Sequence, residues 1–368
     1  MVSMSAIIAV FDDFEHACAI MRYLGLEHFQ LAGATCTSLA AAAKAVLEEW
    51  AVLRKVDDFE VYQSGVVRAL CTLPGHNLVL GDTYNHRMQV HNPQLRTHKP
   101  STMPRLWKEI FYPQGLAYEN GNLYVSTACS LMEGVGNVHR VLKFRLSDGV
   151  ELGASAPGVV RFPQALALDG QNLLVVEGGR ISVLDKDDLR RGGFFGEAGS
   201  AVGQLCRPVE LALHRGELFV ADQGNHRLSI FSPGAEGFLD VEGASVRTLG
   251  SHGTAPGQFV NPAGLAIAAG HLIVGEKTRV QVLTMDGAPR QVILMSGIDA
   301  ICVGPSPMLY LADSLGERRI HRFEIISAAQ TIERAAPCRA SWGCGQIRGP
   351  SRAEQMAAFQ ANPTCVIQ

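Results

Sequence analysis

Four histidines, His86, His139, His226 and His321, stand beside arginines at wide intervals along this chain. Imidazole nitrogens ligate zinc, and several His side chains converging from separate elements are what a catalytic metal site requires. Their setting argues against that chemistry. His86, His139 and His226 each directly precede an Arg, and His321 follows the Ile after one, so the four track a recurring motif and not a ligand spacing. No Walker loop, HExxH helix or nucleophile elbow occurs in the sequence. The expectation is a non-catalytic chain with no metal and no cofactor, with a zinc-dependent reaction as the alternative.

A second group of residues suits binding. The stretch "LRTHKPSTMPRLWKE" places Arg96, His98, Lys99, Arg105 and Trp107 in one segment. Basic and aromatic side chains interleaved in this way form a substrate-binding loop, or hold a single nucleic-acid strand. A solvated connector has the same composition. The whole chain carries 32 Lys and Arg against 35 Asp and Glu, a net charge of -3, which disfavours a surface built to neutralise phosphates.

The elements that position these residues follow from self-similarity. "DTYNHRMQVH" from Asp82 returns as "DQGNHRLSIF" from Asp222. "EGGRISVL" from Glu177 and "EKTRVQVL" from Glu276 keep the acid and the Arg across a shorter turn. "DSLGERRIHRF" from Asp313 is one residue longer, and "GNVHRVLKF" follows an insertion. Arg87, Arg140, Arg180, Arg227, Arg279 and Arg319 therefore mark six units, at spacings of 53, 40, 47, 52 and 40. Each unit has an apolar run before the acid, such as "LVLGD" or "LFVAD", and four have a Pro-led strand upstream, such as "PQGLAY" or "PAGLAI". Short Leu, Val and Ile runs bounded by Gly and Asp read as strands. Three or four strands repeated six times predict a β-propeller of about six blades. In this reading the acid and the Arg clamp the hairpin between two strands, and Asn85 and Asn225 supply left-handed turn geometry.

The Pro, Gly-Leu-Ala, Leu-Tyr-Val-Ala-Asp and Asn-His-Arg landmarks resemble the NHL repeat, over roughly residues 66 to 325. That resemblance implies a propeller that binds proteins, peptides or RNA. Some similar propellers, the amidating lyases among them, hold zinc, which is the source of the metal-dependent alternative.

Residues 1–65 lie outside the repeat. "FEHACAIMRYLGL" and "SLAAAAKAVLEEWAVLRKV" carry apolar stripes at helical spacing, the second through Leu39, Ala43, Val46, Trp50 and Leu53. The segment resembles an F-box in Glu15, Ile20, Tyr23, Leu24, Phe29 and Cys36, without that family's opening Leu-Pro. The resemblance implies that these residues bind a Skp-type adaptor, which links the chain to a cullin ubiquitin ligase while the propeller selects a protein substrate. The expected division is a helical segment at 1–56, a linker at 57–65, the propeller at 66–337 and a tail at 338–368.

Nine Cys without a CxxC pair favour a reducing compartment. No secretory leader or membrane-length apolar run is visible, so a cytoplasmic or nuclear location is expected. The terminal "CVIQ" fits a prenylation signal on Cys365. It also aligns, through Pro363 and Pro262, with the opening strand of a seventh unit, which is the preferred reading.

Overall fold

The computed structural model describes residues 51–61, 65–93, 110–129, 138–234, 237–238, 245–305, 308–314, 318–327 and 366–367. These form a six-bladed β-propeller, mainly β as the repeats predict. Blade 1 comprises Val67–Leu73, Asn77–Asp82 and Arg87–His91; blade 2 runs from Pro113 to Ala154, blade 3 from Leu166 to Phe195 and blade 4 from Pro208 to Leu249. Blade 5 runs from Gly264 to Leu294 and blade 6 from Ile298 to Ser327. Within each blade the strands are antiparallel neighbours in chain order, innermost first.

The apolar runs lack strict alternation because both faces of a middle strand are covered by neighbouring blades. Leu78, Val79 and Leu80 are all fully buried, as are Leu218, Phe219 and Val220. The core is accordingly a ring of six clusters, one between each pair of adjacent blades. One of them joins blade 6 to blade 1 through Tyr310, Ile320, Leu70 and Leu80. A ring closed this way leaves no hydrophobic blade face bare.

The closure corrects the expected organisation of the amino-terminal region. Ala51–Glu60 is a strand, and it forms the outermost strand of blade 6 by antiparallel pairing with Arg319–Ser327. Over residues 51–60 this clasp stands where the end of the helical segment (to 56) and the start of the linker (57–65) were expected; the rest of the helical segment lies outside the described residues. The propeller thus includes residues 51–60. Leu53 is buried against Phe323, Ile325 and Val282. Opposite charges face each other along the pairing: Arg54 meets Glu324, Asp57 meets Arg322 and Glu60 meets Arg319. Such cross-strand pairs fix register, since a one-residue slip would set them against the wrong neighbours.

The carboxyl end also departs from expectation. Val366–Ile367 is a strand, but it pairs in parallel with Val292 and Ile293 on the outer edge of blade 5. It therefore adds to an existing blade and does not open a seventh unit. Cys365 lies outside the described residues.

Candidate functional site

The repeated acid is a hydrogen-bond hub. Asp222 is fully buried; its Oδ1 accepts from the Cys206 backbone N–H at 2.7 Å, and its Oδ2 from Arg227 Nε at 2.9 Å, Asn225 Nδ2 at 2.8 Å and Ser229 Oγ at 3.1 Å. Asp82 repeats the arrangement with Gly65, Asn85, Arg87 and Gln89. Blades 3 and 5 have a turn two residues shorter and use Glu177 and Glu276, whose extra methylene carries the carboxylate to Arg180 and Arg279 at 3.0 and 2.8 Å. The guanidinium completes the clamp by reaching the loop that enters its blade. Arg227 donates to the carbonyls of Ser200, Ala201 and Gln204 at 2.8–2.9 Å.

Two units differ. Opposite Arg140 the register places Thr127 where the other units have an acid. Arg319 of blade 6 reaches Asp58 and Glu60 of the clasp strand, so there the motif's Arg fastens the ring. The left-handed residue of the Asn-His-Arg turns is the His and not the Asn: His86 and His226 both have φ 54°. The asparagine spends its amide on the aspartate instead.

Three of the four histidines join neighbouring blades. The Nδ1 atoms of His86, His139 and His226 accept hydrogen bonds from the backbone N–H of Tyr112, Phe162 and Asn261, at 3.4, 3.2 and 3.1 Å. Each donor immediately precedes the proline of the following unit and has φ between 46° and 51°, a costly conformation for a residue other than glycine. An accepting Nδ1 must be unprotonated, and burial lowers the His139 pKa from its ordinary value, with Arg161 adding to the effect. His321 is buried between Asp58 and Asp313, its pKa lowered chiefly by burial. Among the described residues no three His, Cys, Asp or Glu side chains converge on a point where a metal would sit.

The innermost strands leave a central channel, and this is where unassigned chemistry collects. Each innermost strand is the last in its sheet, so one backbone edge is left to face the axis. A cavity of about 160 Å³ lies there, ringed by Leu70, Leu116, Leu166, Leu211, Leu265 and Ile301 at one register position. The preceding position is held small by close approach of the strands: a Cβ on Gly115 would sit 2.3 Å from the Gln164 carbonyl oxygen. Ala69, Ala165, Gly264 and Ala300 fill four of the other places, and Glu210 fills the fifth.

One position earlier the strands bulge. In blades 1, 2, 4 and 6 the register jumps across Arg68, Gln114, Val209 and Asp299. A β-bulge re-aims its extra residue, and bulges gather at functional rims. Here Arg68, Gln114 and Asp299, with Gln164 and Glu210, line a mouth of about 280 Å³ at one end of the channel. The mouth also includes Phe162 and Arg207, both exposed.

Glu210 is the unusual member. Its one described hydrogen bond comes from the Leu211 N–H at 3.1 Å, and burial pushes its pKa up to about 8. Burial also raises Asp299, against the opposing pull of Arg68. A carboxyl raised by folding favours the folded state while protonated. That contribution is present below the ordinary value of 4.5 and is lost as pH rises through about 8. Glu210→Gln is therefore expected to melt with the parent at about pH 5 and above it at about pH 8.5, by about 2–4 kcal/mol, with channel water moderating the full shift. Identical melting of the two proteins across that range would show that the carboxyl is well solvated.

Burial likewise pushes the Cys71 thiol up to about 12, and Cys71, Cys206 and Cys302 are free thiols. The adaptor-binding set (Glu15, Ile20, Tyr23, Leu24, Phe29, Cys36) and the basic loop (Arg96, His98, Lys99, Arg105, Trp107) lie outside the described residues. The channel mouth was missed because its signal is a variation and not a motif. The sequences "VVRALC", "PQGLAY", "PQALAL", "PVELAL" and "GIDAIC" share their apolar positions and differ in polarity at Arg68, Gln114, Gln164, Glu210 and Asp299.

Among the described residues no helix is long and apolar enough to cross a membrane. No family model and no curated protein matches the sequence. Solved structures do resemble the fold. A putative oxidoreductase (glucose dehydrogenase) from Thermus thermophilus is similar at 18% identity with a TM-score of 0.49, over 75% of this chain and 100% of that one. The computationally designed Ika8 protein is similar at 10% identity with a TM-score of 0.46, over 74% and 100%. A chain of a nidogen/laminin complex matches at 17% identity with a TM-score of 0.46, over 65% and 85%. At these identities the likeness concerns the fold alone.

Proposed function

We propose that this chain is a protein-interaction module whose propeller recognises a partner at the channel mouth. The observation that carries the reading is the set of bulges that turns Arg68, Gln114 and Asp299 toward one end of a closed ring. A rigid ring with polar groups gathered at one end is built to present a recognition surface. In the fuller form of the proposal the chain is the substrate-recognition subunit of a cullin-based ubiquitin ligase. Its amino-terminal segment binds a Skp-type adaptor through the F-box-like residues, and the propeller holds the substrate.

The clasp supports that arrangement. Because residues 51–60 belong to blade 6, whatever binds the segment just before them is attached to the propeller through a paired strand. Changing both Tyr23 and Leu24 to Asp is expected to abolish co-purification with a Skp-type adaptor, because it puts charges into an apolar helix-in-groove contact. The melting curve of the propeller is expected to stay unchanged. Adaptor binding that survives in the folded double variant removes the ligase reading.

A further inference from the structure

The polar groups at the channel mouth are short of a donor. Gln114 Oε1 is buried with no hydrogen-bond partner among the described residues. Across the ring, the Glu210 carboxyl receives a single backbone N–H in the described structure, although a carboxylate has capacity for about four such bonds. Asp299 adds a third acceptor on blade 6, next to Arg68 and Ser314. Gln114 Oε1 is buried and unpaired, which is costly, and the half-buried Glu210 and Asp299 carboxyls have acceptor capacity to spare, so a ligand that brings several N–H donors is favoured over one that brings more acceptors.

The rim has the opposite character. Arg68 and Arg207 are exposed where the mouth opens to solvent, and Gln164 on blade 3 and Ala263 on blade 5 add no charge. The entering wall is apolar at Phe162, Pro208 and Val209, whereas deeper in the channel the six aliphatic side chains pack between the blades and leave a mainly polar surface around the cavity. A guest matched to this order has a compact three-donor head, an apolar stem and negative charge near its base. A lysine side chain flanked by acidic residues has all three: its ammonium donates three hydrogen bonds and its methylenes lie against apolar surface.

We propose that the channel mouth takes the ammonium of a partner protein's lysine on Glu210, Asp299 and Gln114, while acidic neighbours of that lysine meet Arg68 and Arg207. This rests on the interaction-module reading and names the feature that the module recognises. Binding then draws the proton from Glu210, because the ammonium favours its charged form, so affinity rises with pH until the carboxyl is ionised in the free protein.

The test uses the full chain and a capped synthetic peptide, Ala-Glu-Lys-Glu-Ala, against the same peptide with norleucine for lysine, followed by calorimetry or NMR titration. The lysine peptide is expected to bind, and the norleucine peptide to bind about tenfold more weakly or not at all. Glu210→Gln, checked for an unchanged fold by circular dichroism, is expected to lose about tenfold in affinity and to flatten the rise between about pH 6.5 and 8.5. Asp299→Asn, on another blade, is expected to weaken binding in the same direction, which keeps the test valid if either variant misfolds. Equal binding of the two peptides, full affinity in folded Glu210→Gln, or no binding by the parent at about 10 mM peptide overturns the proposal. If the peptide fails while the chain still forms a complex with the adaptor, the lysine site is wrong and the interaction-module reading stands.

Discussion

Removing residues 1–60 is expected to abolish the cooperative melting transition of the propeller, whereas removing residues 1–50 leaves it in place. The difference is the clasp strand. Without it, Arg319–Ser327 becomes an exposed edge, and the core between blades 5 and 6 loses Leu53. Leu53 also exchanges backbone hydrogen bonds with the Gln291 side chain of blade 5, at 2.8 and 3.1 Å, so the same strand ties two blades together. A bare edge strand recruits other chains, and aggregation on heating is the expected outcome. Leu53→Asp, which buries a charge without deleting chain, is expected to cost about 3–5 kcal/mol. Differential scanning calorimetry of the two truncations decides the matter. A chain starting at residue 61 that melts as cooperatively as the parent would show that the ring closes without its clasp.

Asp222→Ala is expected to destabilise the protein more than Arg227→Ala, although the two residues form one ion pair. Loss of the carboxylate strands four buried or half-buried donors: the Cys206 N–H, Asn225, Arg227 and Ser229. Leaving several buried donors unsatisfied, beside a half-buried guanidinium without its counter-charge, costs about 3–5 kcal/mol. Loss of Arg227 leaves Asp222 with its three other donors and frees three loop carbonyls that water can reach, for about 1–3 kcal/mol. Asp222→Asn retains acceptors and is expected to fall between them. Urea denaturation ranks the three variants. An Arg227→Ala cost equal to or above that of Asp222→Ala would place the hub on the arginine, and normal stability with lost partner binding would make Arg227 a recognition residue.

Most of the blade architecture was legible because its determinants are local. An acid, a turn and an Arg specify a hairpin in five units, Arg140 marks the sixth without an acid, and six units specify a ring. The clasp was not legible for the opposite reason. The alternation around Leu53 fits one face of a helix as well as one face of a strand, and the partners that decide between them, Arg319 to Ser327, lie at the far end of the propeller sequence. Arg319 shows the limit of the repeat itself. It occupies the motif position, yet it is the closure that gives it Asp58 and Glu60 as partners.

The channel mouth was hidden differently. Glu210 stands where the other blades have Ala or Gly, and a single sequence gives no reason to treat that departure as anything but drift. Only the ring brings it to the same opening as Arg68, Gln114 and Asp299, from four different blades. The histidines illustrate the converse. Their chemistry is the conspicuous feature of the sequence, and the fold uses three of them as acceptors for the strained residues before the prolines.

The proposed role is tested most directly by the mass of the complex formed when the purified full chain is mixed with a Skp-type adaptor, read by size-exclusion chromatography with light scattering. The account predicts a stable species of one chain and one adaptor, absent when residues 1–50 are removed and the propeller is retained. No complex with the folded full chain, or an equal complex with residues 51–368 alone, would contradict it.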